Sequence, residues 1–223
     1  MTYVIWALVG LLVITIVWRF ASRRESIPCP VWLRWMVEMD NPFTRVNRSA
    51  VIVSLLGPID GLTVLDAGCG PGRLTMPLAR TVGPQGRVVA LDIQQGMLDA
   101  VRKKAEAEGL SNIEFMNAGL GEGKLGPSQF DRVVLVTVLG EIPDRQAAMN
   151  ELAASLKPEG LLSITELVFD PHFQRRGTVT ALAAAAGLRE VAFHGRGHAY
   201  TVHLMLAEQG NASRASVPQV NKE

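Results

Sequence analysis

Two acids and three glycines in one short span raise the first question of chemistry. Val64 to Arg73 reads VLDAGCGPGR, so Asp66 closes a short apolar run, and Gly68, Gly70 and Gly72 follow at alternate positions. Glycines here permit a tight turn and a close approach of the backbone to a ligand. Amides at the start of the following helix can then hydrogen-bond that ligand. Asp92 ends the next apolar run, 20 residues after Gly72, where a ribose-binding acid belongs in a nucleotide-binding βαβ unit. A Gly-rich turn alone says little; the turn with an acid at this distance points to an adenosine-containing ligand.

A second group of reactive side chains follows the fourth apolar run. In TVLGEIPD (residues 137–144), Thr137 and Glu141 are expected to face the ligand site. Glu141 can stabilise a cationic amine or accept a proton; the plainer alternative is a capping or surface acid. His172 follows Asp170 and Pro171 beyond the fifth strand and is the other catalytic candidate. His194 and His198 flank Gly195-Arg196-Gly197, a hairpin turn, and His203 alternates with apolar neighbours as a structural histidine does. No metal-ligand spacing appears, so no metal is expected. Cys29 and Cys69 form neither a CxxC pair nor a metal cluster and read as two reduced thiols.

Alternating strands and helices must position these groups. The pattern predicts strands at residues 63–66, 87–92, 112–116, 130–136 and 161–165, and a closing pair at 188–194 and 199–207. Helices are predicted at 74–82, 97–108, 145–156 and 179–186, and another from about Arg45 to Leu56. This rhythm implies an α/β fold: a Rossmann-like, doubly wound, mostly parallel seven-stranded sheet with helices on both faces. Ligands in such sheets bind at the carboxyl ends of the strands, near the topological switch point.

The chain before this core has a different composition. Residues 3–18 read YVIWALVGLLVITIVW, with Thr15 the one clearly polar residue, and Phe20 and Ala21 extend the run. About 17–19 helical residues cover about 26–28 Å, close to one hydrocarbon core. A transmembrane helix is therefore expected ahead of the sheet. Met1-Thr2 carries no side-chain charge and no A-x-A follows, which disfavours a cleaved leader. Arg19, Arg23 and Arg24 place the following domain on the cytoplasmic side of a single-pass anchor. Trp32 and Trp35 then share a helical face, either packed on the domain or lying in the lipid headgroup layer. The expected organisation is an anchor and basic flank at 1–24, juxtamembrane and N-terminal helices at 25–60, the catalytic domain at 61–209 and a polar tail at 210–223. Without the three anchor-flanking arginines, 19 basic side chains face 21 acidic ones. That is a poor footprint for nucleic acid, and no nucleic-acid partner is expected. No obligatory protein partner is implied either.

DAGCGPG with its acid resembles motif I of the class I S-adenosylmethionine (SAM)-dependent methyltransferases. The resemblance continues through VVALDI (88–93), the region of Met97, LKPEG (156–160) and AAGL (185–188), and covers about residues 45–207. It implies SAM as cofactor, with the Asp66 carboxylate toward its amino-acid end and Asp92 at its ribose. It also implies a cofactor-binding set of Gly68, Cys69, Gly70, Gly72, Ile93, Met97, Asn117, Ala118 and Thr137. Many members place an acid against the adenine after the third strand; here Asn117-Ala118-Gly119 stands instead, so an uncharged side chain or a backbone group would serve. The NPPY-type tetrad of amino-methylating enzymes is absent. Methyl transfer from a sulfonium is a displacement in which the protein mainly aligns the reactants. With an anchor, the expected acceptor is a small lipophilic or membrane-resident molecule: a phospholipid amine, a quinone-type ring or a hydrophobic thiol. The alternative is a membrane-anchored SAM-binding assembly or regulatory protein without catalysis.

Overall fold

The computed structural model describes residues 44–207, together with Trp6, Gly10, Val31, Glu38 and Asp40. The expected anchor over residues 3–18, the paired tryptophans, Cys29 and the polar tail fall outside the described residues, Trp6 and Gly10 excepted. Among the described residues no helix is long and apolar enough to cross a membrane.

Seven strands form one sheet: β1 (Thr63–Ala67), β2 (Arg87–Asp92), β3 (Ile113–Asn117), β4 (Phe130–Val136), β5 (Leu156–Leu167), β6 (Leu188–Arg196) and β7 (Ala199–Leu206), in the order β3-β2-β1-β4-β5-β7-β6. The pairs among β1 to β5 are parallel, while β7 runs antiparallel to both β5 and β6. Within residues 44–207 the α-helices are α1 (Ser49–Leu55), α2 (Thr75–Val82), α3 (Gln95–Glu108), α4 (Arg145–Ser155) and α5 (Arg176–Ala185).

The central strands read as apolar runs because both faces are covered. Successive strand residues point to opposite sides. Val64, Val88, Ala90 and Val134 pack with Ile52, Leu78, Leu98 and Val101 of α1, α2 and α3. Their neighbours Leu65, Val89, Leu91 and Leu135 pack with Met149, Leu152, Val179 and Ala183 of α4 and α5. The chain moves outward from β1 through β2 to β3, then returns to lay β4 on the other side of β1. The switch point therefore lies between β1 and β4, and the loops after these strands diverge there.

Two elements differ from the sequence expectation. The helix expected from Arg45 splits into a 3-10 turn, Arg45–Asn47, and α1, with Arg48 extended between them. Side chains hold the backbone groups that would have joined the turns: Arg73 takes the Asn47 carbonyl at 2.6 Å, and the Asp40 carboxylate takes the Ser49 amide at 2.9 Å. Strand β5 starts at Leu156 rather than Leu161. Leu156 pairs with Phe130, and the register then shifts before Leu161 pairs with Arg132, so residues 157–160 bulge from the ladder. Lys157, on that bulge, is fixed to the Asp131 carboxylate at 2.8 Å.

Candidate active site

Asp66 and Asp92 stand at the carboxyl ends of neighbouring strands, both buried, with the glycine-rich turn beside them. The turn is pinned by β2. The amides of Gly68 and Cys69 both donate to the Leu91 carbonyl, at 2.8 and 2.9 Å, and the Gly70 amide donates to Asp92 Oδ2 at 2.9 Å. Asp92 Oδ1 accepts from the Gln94 amide at 2.8 Å. Asp66 accepts the Thr75 hydroxyl at 2.6 Å. Burial pushes the Asp66 carboxyl up to about 6, against the opposing pull of the Thr75 hydroxyl and the Arg73 charge. Burial also raises Asp92, against the Gln94 and Gly70 amides. Such a carboxyl gains from a cationic partner, which an amino acid's ammonium supplies.

The remaining cofactor candidates are distributed unevenly. Ile93, just past Asp92, is 61% exposed, an apolar side chain open to a flat apolar ligand such as adenine. Met97 is instead buried on α3. Cys69 is buried too, and burial raises its thiol well above the usual range, which makes it unreactive. Asn117 sits beside Asp92, with which it pairs across β2 and β3. Its Nδ2 donates to the carbonyls of Asp92 and Ile93 at 2.9 and 3.0 Å, and the Ala118 amide reaches the same Asp92 carbonyl at 3.3 Å. These donors brace the β2 loop, so an adenine contact from Asn117 falls to its Oδ1. Thr137 has a left-handed backbone, φ 54°, which is uncommon for a β-branched residue; its amide donates to the Thr165 carbonyl at 2.9 Å. Two buried acids, a glycine turn and an open apolar residue on the switch point fit SAM, which when bound supplies an electrophilic methyl group on a sulfonium.

Val31, Glu38 and Asp40, ahead of α1, touch this site through pairings that the sequence reading did not name. Arg73, inside the glycine-rich segment, pairs with Asp40 at 2.9 Å and with Asn47 Oδ1 at 3.2 Å. Lys104 of α3 donates to the Pro71 carbonyl at 2.7 Å and to Glu38. Gly96 lies under Val31: a β-carbon there would be 3.1 Å from the Val31 Cγ1. No local pattern marks these partners, which come together only in the fold.

Across the switch point, Glu141 and His172 are brought together. Glu141 ends a 3-10 turn, Leu139–Glu141. Gly140 in that turn packs against the next loop so closely that a β-carbon would fall on the His172 carbonyl oxygen. His172 Nδ1 stands 3.8 Å from Glu141 Oε1 and 3.8 Å from Asp170 Oδ1, and the His172 amide donates to Asp170 at 2.7 Å. A cavity of about 260 Å³ opens beside them, lined by Gly140, Arg145, Pro171, His172, Phe173 and Gln174. Burial pushes Glu141 up to about 8, helped by the negative charges of Asp170 and Asp92. Glu166, on β5, was also missed. It is 1% exposed, accepts the Gln174 amide at 2.9 Å, and is pushed by burial up to about 8. His194 and His203 stack edge-on at 5.0 Å between β6 and β7, and burial draws His203 down to about 4, a structural pair.

Known proteins align with this arrangement. Residues 64–160 match the family described as "Methyltransferase domain". A demethylmenaquinone methyltransferase from Lactococcus lactis is 34% identical over 105 residues, 47% of this chain and 42% of that protein. Aklanonic acid methyltransferase DauC from Streptomyces sp. is 35% identical over 127 residues, 57% of each chain. The chain thus spans about half the length of these curated relatives. A SAM-dependent methyltransferase from Aquifex aeolicus has the same fold, with a TM-score of 0.71 at 22% identity, covering 81% of this chain and 100% of that one. The matched stretch carries the glycine-rich turn, both cofactor-side acids and Glu141, and it is similar to methyltransferase domains.

Proposed function

We propose that this protein transfers the methyl group of SAM to a lipophilic, quinone-type ring at the surface of a membrane. The observation that carries this is the position of Glu141. Its carboxyl feels the charge of Asp92 on the cofactor side and of Asp170 on the cavity side, so the two halves of a transfer reaction meet there. The relative named for demethylmenaquinone supports a quinone ring over the other two acceptors expected from the sequence, a phospholipid amine and a hydrophobic thiol. Asp66 and Asp92 hold SAM by its ammonium and ribose, while Gly68, Gly70 and Gly72 let its backbone neighbours approach.

The membrane part of this reading rests on the apolar run at residues 3–21. An enzyme held at the bilayer reaches a lipophilic acceptor without extracting it into water. Arg19, Arg23 and Arg24 put the domain on the cytoplasmic side. The test is to incubate membranes holding the full chain with radiolabelled SAM and identify the labelled product. Label in a quinone-type lipid is expected; label confined to phospholipid headgroups or thiols removes the quinone reading. Protease digestion of sealed vesicles of known orientation checks the topology.

A further inference from the structure

Resting on the methyl-transfer reading above, we propose that Glu141, His172 and Arg145 form a deprotonating site for a ring hydroxyl, Glu141 taking the proton and the Arg145 guanidinium holding the oxygen left behind.

Four observations carry it. The first is juxtaposition: Gly140 lets the loop after β4 touch the loop after β5, which puts Glu141 3.8 Å from His172, one of the residues that line the cavity. The second is Arg145, which lines that cavity from the first turn of α4. Its Nη2 donates to the Gly140 carbonyl at 3.1 Å, while its buried Nε–H has no hydrogen-bond partner among the described residues. A donor so placed suits an oxygen on which negative charge develops. It also opposes an ammonium-bearing acceptor, because a guanidinium in the wall repels one. The third is Glu166, buried to 1% exposure with one oxygen on the Gln174 amide and the other without a partner. It fixes the cavity wall at Gln174, whose carbonyl also accepts the Tyr200 hydroxyl at 2.8 Å. Glu166 is thus a positioning residue. The fourth is electrostatic. Glu141 faces Asp170 and His172 from the loop after β5, Glu166 from β5 and Asp92 from β2, while Arg145 from α4 acts on Glu166 and holds the Gly140 carbonyl. Burial and the surrounding acids raise its carboxyl to about 8, closer to a phenolic hydroxyl, whose pKa is about 10, so proton transfer becomes less uphill.

The step balances. The acceptor is the reduced, hydroxyl-bearing quinol form of the ring; its O–H bond breaks and the proton goes to the Glu141 carboxylate. The electron pair left on the ring, at oxygen or at the conjugated carbon, forms the bond to the methyl carbon. The pair of the breaking methyl–sulfur bond stays on sulfur. If carbon is methylated, the proton on that carbon passes to water as the ring regains aromaticity.

The test uses the full chain with 1-naphthol and 1-naphthylamine as matched probes, and SAM affinity is followed by calorimetry. The naphthol is expected to be methylated and the amine not. The wild-type rate should rise with pH as Glu141 ionises. Glu141→Gln should lose about 100-fold or more in kcat, together with that pH dependence, while keeping its SAM affinity. Glu141→Asp should recover part of the rate and the pH dependence. Arg145→Gln, on a separate element, should raise the apparent pKa of bound 1-naphthol, read from its naphtholate absorption with S-adenosylhomocysteine present. Preference for the amine, an unchanged pH dependence in Glu141→Gln, or an unmoved naphthol pKa in Arg145→Gln overturns the proposal and leaves methyl transfer standing. SAM binding without methylation of either ring overturns the ring-acceptor reading as well.

Discussion

Val138 stands over Gly68: a β-carbon built on Gly68 comes 2.5 Å from the Val138 Cγ2. The glycine-rich turn after β1 and the loop after β4 are therefore locked at the switch point. Gly68 also has φ +76°. Gly68→Ala should destabilise the protein by about 2–4 kcal/mol, from the left-handed backbone and the overpacking together. Val138→Ala in the same chain should recover the overpacking part alone. Denaturant unfolding of the four proteins of the cycle measures this; strict additivity would separate the two residues.

Thr137 begins the same loop with φ 54°. A β-branched residue held there costs about 1–2 kcal/mol. Thr137→Asn, which tolerates that backbone better, should raise stability by about 1 kcal/mol, a shift of about 2–4 °C in Tm. Turnover should fall, since the loop carries Glu141. Calorimetric scans and initial rates on the same preparations check both, and a lowered Tm would show that the threonine side chain contributes more than its backbone costs.

Asp66 should make SAM binding depend on pH. Its carboxyl lies at about 6 in the fold against an ordinary 3.8. The folded value is the higher one, so the stability contributed by its protonated form is complete below the ordinary value and lost as pH rises through about 6. Binding of the SAM ammonium selects the ionised form. Affinity should therefore rise with pH toward about 6, then level off, with proton release on binding below that point. Calorimetry in buffers of different ionisation enthalpy reads the proton directly. Asp66→Asn should show neither effect, with about 10–150-fold weaker binding from the lost charge-assisted contact. A flat profile in the wild type would falsify the ammonium pairing.

Two truncations should behave differently. Removing residues 1–24 leaves Val31, Glu38 and Asp40 in place, so SAM affinity should hold while turnover of a bilayer-embedded acceptor falls. Removing residues 1–43 deletes the acidic partners of Arg73 and Lys104, Asp40 and Glu38, and SAM affinity should fall as well. Equal SAM affinity in both truncations would mean that these partners only decorate the surface.

Strand β2 was legible to the residue because RVVALD is buried along almost its whole length, and burial on two faces writes itself as a continuous apolar run. Asp66 and Asp92 were legible because each closes such a run. Glu141 and His172 could be picked from the sequence one at a time, but their 3.8 Å approach depends on Gly140 meeting a backbone more than thirty positions away. Glu166 was hidden in ITELVFD, because the expected strand stops at residue 165 and leaves the acid just past its end, whereas the strand runs on to Leu167. Only the pairing of Glu166 with Tyr200 and the return of the chain at Gln174 show it inside. Arg73 and Asp40 are 33 residues apart, and Lys104 and Glu38 are 66 apart, beyond any local periodicity. The early start of β5 was hidden because Pro158 and Gly160 announce a break, which the bulge absorbs.

The contact of Val31 with Gly96 sets a leash length. In the membrane-held protein the apolar run ends at Ala21, ten residues before Val31. Ten residues fully extended reach at most about 35 Å, roughly the diameter of a small domain. Gly96 lies just beyond Asp92, at the start of α3, so with the proposed anchor the mouth of the cofactor site would stand no farther than that from the lipid surface. An enzyme anchored as proposed would work within a shell one molecule thick, and it would meet an acceptor dissolved in the bilayer by lateral diffusion in two dimensions.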